Sequence, residues 1–194
     1  TNTGASNTAI GHNSMFANTT GTNNVAVGEN SLDANTTGDY NVCLGTSALT
    51  SNTTGDLNTA VGQSALFSNT TANHNVAVGY NALNENSTGE NNVAVGKDAL
   101  QKNTTANYNT AVGYEALEQN TTGTQNVAVG SFALDDNTTA NNNVAIGYLA
   151  LTANTTGDLN TAIGTQAMSN STNNDRNVAV GYAALQNISD GQGL

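Results

Sequence analysis

Asn75-Val76-Ala77-Val78-Gly79 is the stretch on which the reading of this chain turns. It returns along the whole sequence, its closing glycine falling at Gly11, Gly28, Gly45, Gly62, Gly79, Gly96, Gly113, Gly130, Gly147, Gly164 and Gly181, 17 residues apart each time. A fixed period shorter than any domain means one supersecondary unit stacked on itself. Columns are counted here from Gly4, Gly21, Gly38 and so on, so that the quoted stretch fills columns four to eight. Columns five to seven alternate with a period of two, which reads as a short strand. Column seven is always branched and apolar, from Ile10 and Val27 to Ile163 and Val180. Column five is Val, or Thr at Thr8, Thr59, Thr110 and Thr161, every third unit. Both are assigned to the core, and the recurring threonine reads either as the record of a duplicated three-coil block or as a place where the core face admits a hydroxyl able to bond a neighbouring carbonyl.

Outside the strand, column four is Asn in every unit, as at Asn24, Asn75 and Asn126, and stacking would join these amides in a ladder. The column-eight glycine reads as a corner needing positive φ or close backbone approach. Columns eleven and twelve are mostly Ala-Leu, as at Ala82-Leu83, which predicts a second strand with Leu in the core. Asn-Thr-Thr in columns fifteen to seventeen, followed by Gly or Ala, reads as a turn. It comes one residue early at Asn170-Ser171-Thr172 and Asn187-Ile188-Ser189, and the pattern frays at Gly191-Gln192-Gly193-Leu194. The expected fold is all-β: a parallel β-solenoid (β-roll) of eleven 17-residue coils with two short strands each, forming one repeat domain over 1–194. A lone coil buries too little to offset its backbone entropy, so stacking must supply the hydrogen bonds and the continuous core. The sequence begins within a repeat, which reads as a piece of a longer fibre.

Composition narrows the function. Formal net charge is −11, with 14 acidic and 3 basic residues, and only 9% of the chain is charged. Lys97, Lys102 and Arg176 cannot neutralise a run of phosphates, so nucleic acid is not an expected partner. An anionic rod does not suit anionic lipid, and no apolar run is long enough for membrane insertion. Cys43 is the single cysteine, which leaves no intrachain disulfide. His12 and His74 fall in different columns, away from any cysteine or paired carboxylates at ligand spacing. Gly38-Asp39, Gly55-Asp56 and Gly157-Asp158 lack the nonapeptide spacing of calcium-binding rolls. No catalytic, cofactor-binding or metal-ligating residues are expected, and the chain does not read as an enzyme.

Two sets of residues stand out instead. Column six, opposite the residues assigned to the core, is Ala9, Ala26, Cys43, Ala60, Ala77, Ala94, Ala111, Ala128, Ala145, Ala162 and Ala179. An outward file of alanines suits close approach of a second backbone, which makes it the candidate interface of a homo-oligomer, with Cys43 brought against its copies. The Asn-x-Ser/Thr signature occurs at Asn18, Asn35, Asn52, Asn69, Asn86, Asn103, Asn120, Asn137, Asn154, Asn170 and Asn187, all candidate N-glycosylation sites.

N-[VT]-A-[VI]-G followed by x-x-A-L resembles the repeats of trimeric autotransporter adhesin heads, and with N-T-T-G it resembles bacteriophage tail-fibre-like arrays over the whole chain. The coil here is longer than in the adhesin heads. The resemblance implies a parallel β-roll, commonly trimeric, in an extended surface fibre. The expected function is therefore the rigid shaft or head of an extracellular fibre or adhesin, for spacing and surface display on a cell or virion surface. The expected partners are copies of itself, as a trimer or a head-to-tail filament, and a cell-surface or glycan receptor. The alternatives are an ice-binding β-solenoid or a heavily N-glycosylated extracellular filament subunit. Against ice binding, neighbouring threonines in columns sixteen and seventeen cannot point the same way on one strand.

Overall fold

The computed structural model describes residues 3–188. Thr1-Asn2, Ser189 and the frayed Gly191–Leu194 lie outside the described residues. Eleven three-residue strands, β1 (Thr8–Ile10), β2 (Val25–Val27), β3 (Val42–Leu44), β4 (Thr59–Val61), β5 (Val76–Val78), β6 (Val93–Val95), β7 (Thr110–Val112), β8 (Val127–Val129), β9 (Val144–Ile146), β10 (Thr161–Ile163) and β11 (Val178–Val180), form one parallel sheet in chain order. The register never changes: each residue pairs with the one 17 positions on, as Val76 with Val93 and Ala77 with Ala94. The chain is thus a β-solenoid, as its period predicts. No helix in the described residues is long and apolar enough to cross a membrane.

Each coil has one strand, not two. The Ala-Leu segment does stack, with Leu66 N–H donating to Ala82 O and Leu83 N–H to Ala99 O, both at 3.0 Å. It is not extended, because column twelve is left-handed throughout, with φ between 48° at Leu185 and 55° at Leu117. Columns three and ten are left-handed as well, so every coil turns on three non-glycine residues, such as His74, Asn81 and Leu83 (φ 60°, 53° and 54°). An L-residue there costs roughly 1–2 kcal/mol. The stack holds it in place: the N–H groups of His74 and Asn81 donate to Asp56 O and Gln63 O in the preceding coil, and that of Leu83 to the following one.

The core is thin. Column twelve (Leu32, Leu49, Leu66 and their equivalents up to Met168) fills the middle of the coil and is lined by alanines of columns six and eleven, such as Ala77 and Ala82. This reverses the predicted orientation of the strand. Ala26, Cys43, Ala60, Ala77, Ala94, Ala111, Ala128, Ala145, Ala162 and Ala179 point inward and are at most 2% exposed, while Ala9 is exposed with the rest of β1. Columns five and seven point outward. Leu83 and its equivalents already occupy the middle, so the facing wall has room for a methyl group but not for a second branched side chain.

Two asparagine ladders close the ends of this core. In column four, Asn75 Nδ2 donates to Gly89 O (2.8 Å), and its Oδ1 accepts from Asn92 N–H (2.9 Å) and Asn92 Nδ2 (3.3 Å). In column fifteen, Asn86 Nδ2 donates to Asn69 Oδ1 (3.0 Å) and to Gly89 O (2.9 Å). The backbone does not slip near Asn170. Ser171 takes the buried column-fifteen place and bonds Asn174 Oδ1 at 3.2 Å, which leaves Asn170 exposed one column earlier.

Candidate binding faces

Turning the alanines inward settles what lies outside. The sheet presents two files of side chains along the whole stack, Val76 and Val78 in β5 and their counterparts, all β-branched but Leu44 and half-buried in most central coils. Val42, Leu44, Ile146 and Ile163 are exposed by 36–39%. The column-six interface is therefore overturned, since alanines sealed inside the coil cannot meet another chain. The core role assigned to Thr8, Thr59, Thr110 and Thr161 is overturned too, because they share the outward file with Val. Cys43 is fully buried, and desolvation pushes its thiol far above the ordinary range. In-register copies cannot bring these thiols together while the coil is folded.

The Asn-x-Ser/Thr asparagines fall in two groups. Asn18, Asn35, Asn52, Asn69, Asn86, Asn103, Asn120, Asn137 and Asn154 are at most 4% exposed. Their Nδ2 atoms serve the ladder: that of Asn52 donates to Asn35 Oδ1 (3.0 Å) and Gly55 O (2.9 Å). A sugar replaces one of those hydrogens and needs space that the folded coil does not have. Asn170 and Asn187 are exposed, with Asn170 Nδ2 donating to Asn187 Oδ1. A continuous stripe of glycans is thus incompatible with the folded stack. The Thr in column sixteen also serves the stack, Thr53 Oγ1 donating to Thr70 O at 3.0 Å.

Part of the acidic charge is structural. Backbone N–H groups of column two donate to carboxylates of the next coil: Thr22 to Asp39 Oδ1 (2.6 Å), Asp39 to Asp56 Oδ1 (2.7 Å) and Asn141 to Asp158 Oδ1 (2.6 Å). Asparagine does the same work at Asn73, Asn107 and Asn141. His12 lies 4.0 Å from Glu29 at an exposed position, and His74 is exposed in its turn, so the structure brings neither to a cluster.

Sequence reasoning missed one neighbourhood on the flank beyond the column-eight corner. Carboxylate oxygens of Glu115, Glu118 and Asp135 lie within 4.8 Å of one another. The group arises because columns ten and thirteen adjoin between successive coils. Burial, then the charges of Glu118, Asp136 and Glu115, push Asp135 up to about 7 against the opposing pull of Lys102. Beside it runs an aromatic row. Phe132 stands edge-on between Tyr114 (centroids 5.2 Å apart) and Tyr148 (6.3 Å), and the Lys97 ammonium lies 4.9 Å from the Tyr114 ring centre. Lys97 is itself paired to Asp98 at 2.6 Å.

No protein-family model, curated protein or solved structure matches this chain.

Proposed function

We propose that the chain is a rigid structural segment of an extracellular fibre or adhesin, and that copies of it associate side by side through the outward valine face. The observation that carries this reading is the face itself: a double file of branched residues, mostly Val, with constant register over the whole stack. A contiguous apolar surface of that length marks an interaction site on a protein in water. Eleven coils at about 4.8 Å give a rod of roughly 50 Å. A continuous hydrogen-bond ladder on every side stiffens it, and rigidity is what spacing and display need. A trimer, with three such faces turned to a common axis, is the favoured assembly.

Sedimentation equilibrium tests the association. The chain is expected to have an oligomeric mass, and Val78→Lys with Val95→Lys to be monomeric with an unchanged circular dichroism spectrum. A monomeric wild-type chain overturns side-by-side association. Antibody labelling of intact source cells or particles tests the location, and labelling that appears only after lysis overturns the extracellular reading.

Ice binding keeps one observation in its favour, the regularly spaced array of Val and Thr that the sheet turns to solvent. An ice recrystallisation assay on the wild-type chain separates the two readings, inhibition being expected only of the ice binder.

A further inference from the structure

Tyr80, Tyr114 and Tyr148 occupy the same column, 34 residues apart, and Tyr182 continues the file. They are exposed by 45%, 41%, 50% and 78%. Constant register places these rings on one flank at every second coil, a step of roughly 9.6 Å at the parallel-strand spacing of about 4.8 Å. The intervening coils carry Lys97, Ser131 and Thr165 in that column. Phe132 wedges edge-on between Tyr114 and Tyr148, which limits how far either ring can swing.

We propose that this tyrosine file binds an extended, neutral β-1,4-linked polysaccharide of the glucan or chitin class, one disaccharide to every two coils. Such a chain advances by nearly one coil spacing per pyranose and turns over at each linkage. The same sugar face therefore returns at every second ring, the interval at which tyrosines return here. The apolar C–H face of a pyranose lies on the quadrupole of an aromatic ring, and the ring's polar tip stays in water. Around the rings stand groups that suit hydroxyls: Glu115 accepts hydrogen bonds and the Lys97 ammonium donates them. Glu115, Glu118 and Asp135, on a chain of net charge −11, repel uronates and sulfated sugars, which selects a neutral glycan. A curved α-1,4-linked chain does not return the same face at a constant two-coil interval. The inference is independent of the valine face, which lies on the other side of the column-eight corner.

Co-sedimentation of the full chain with microcrystalline cellulose and with chitin tests it, with soluble amylose and alginate as competitors. Retention on at least one of the two solids is expected, with no competition from amylose or alginate. Tyr114→Ala with Tyr148→Ala is expected to weaken retention by roughly tenfold, the loss of two stacked rings, with the circular dichroism spectrum unchanged and the melt lowered only by the lost edge contacts with Phe132. Ser131→Tyr with Tyr148→Ala keeps the number of tyrosines and breaks their spacing, and is expected to bind more weakly than wild type. No retention on either solid overturns the proposal. Equal retention by wild type and the shifted variant also overturns it, since adhesion would then follow aromatic content and not spacing. Sedimentation mass measured on the same samples keeps a failure of glycan binding distinct from a failure of side-by-side association.

Discussion

Two kinds of glycine recur in each coil, and the structure separates them by cause. Column-eight glycines sit at φ between 129° and 143°, a region closed to side chains, and a Cβ on Gly79 would lie 2.6 Å from the carbonyl carbon of Gly96. Column-one glycines have no positive φ and are only crowded. A Cβ on Gly38 would lie 2.5 Å from Gly55 O, yet the equivalent position is alanine at Ala72, Ala106 and Ala140, each flanked by glycine in the coils on either side. A small displacement of the stack therefore admits one methyl group. Gly79→Ala is expected to cost at least about 2–3 kcal/mol, from backbone strain added to the collision. Gly38→Ala is expected to cost under about 1 kcal/mol, with crowding partly offset by the smaller entropy of the unfolded chain. Urea denaturation of the two variants checks the difference, and equal losses would show that crowding alone explains both columns. The outward Thr of β4, β7 and β10 belongs to the same level of reading: a hydroxyl costs nothing at a half-exposed position, so Val and Thr interchange there while column six stays Ala or Cys.

Within one coil, buried amides add their hydrogen bonds to the apolar contact of the core. Asn75→Ala would strand Asn92 N–H in a dry interior, while Gly89 O keeps the bond from Asn86 Nδ2. At about 1–3 kcal/mol for one unpaired buried group, a loss of that size is expected. A thermal melt checks it, and a loss of under 1 kcal/mol would mean that water enters the ladder. The period, the strand, the asparagine ladder and the buried leucine were all legible in the sequence. The direction of the strand was not, because the reading gave the bulkier side chains to the core. Parity holds the missing signal: Asn75 and Ala77 are two apart, so they share a face, and a ladder of amides shielded from water puts that face inside. Invariance within the chain points the same way, since column six is small in all eleven units while column five drifts between Val and Thr. The second strand failed for a different reason. A Leu at φ near 54° turns the chain, and no apolar pattern distinguishes a buried turn from a buried strand. The carboxylate group and the aromatic row lie in columns that vary from unit to unit, where a consensus reading averages them away.

As a whole, the molecule is one-dimensional: each strand contacts the strands of the coils before and after it. Stability is then close to a sum of coil terms and neighbour terms. Removing residues 72–88, one complete coil, joins Thr71 to Gly89 and restores every ladder in register. The shortened chain is expected to keep the same circular dichroism spectrum and cooperative melt, and its rod to lose about 4.8 Å of length by small-angle scattering. Removing 72–80 instead breaks both asparagine ladders and is expected to abolish the cooperative melt. Survival of the second deletion would show that the coils are not held by register. Invariant register also has a meaning in the gene. One coil is a whole number of codons, so unequal crossing-over between two repeats adds or removes a complete coil and leaves the reading frame intact. Recombination can thus vary the reach of the rod in unit steps without passing through an unfolded intermediate allele.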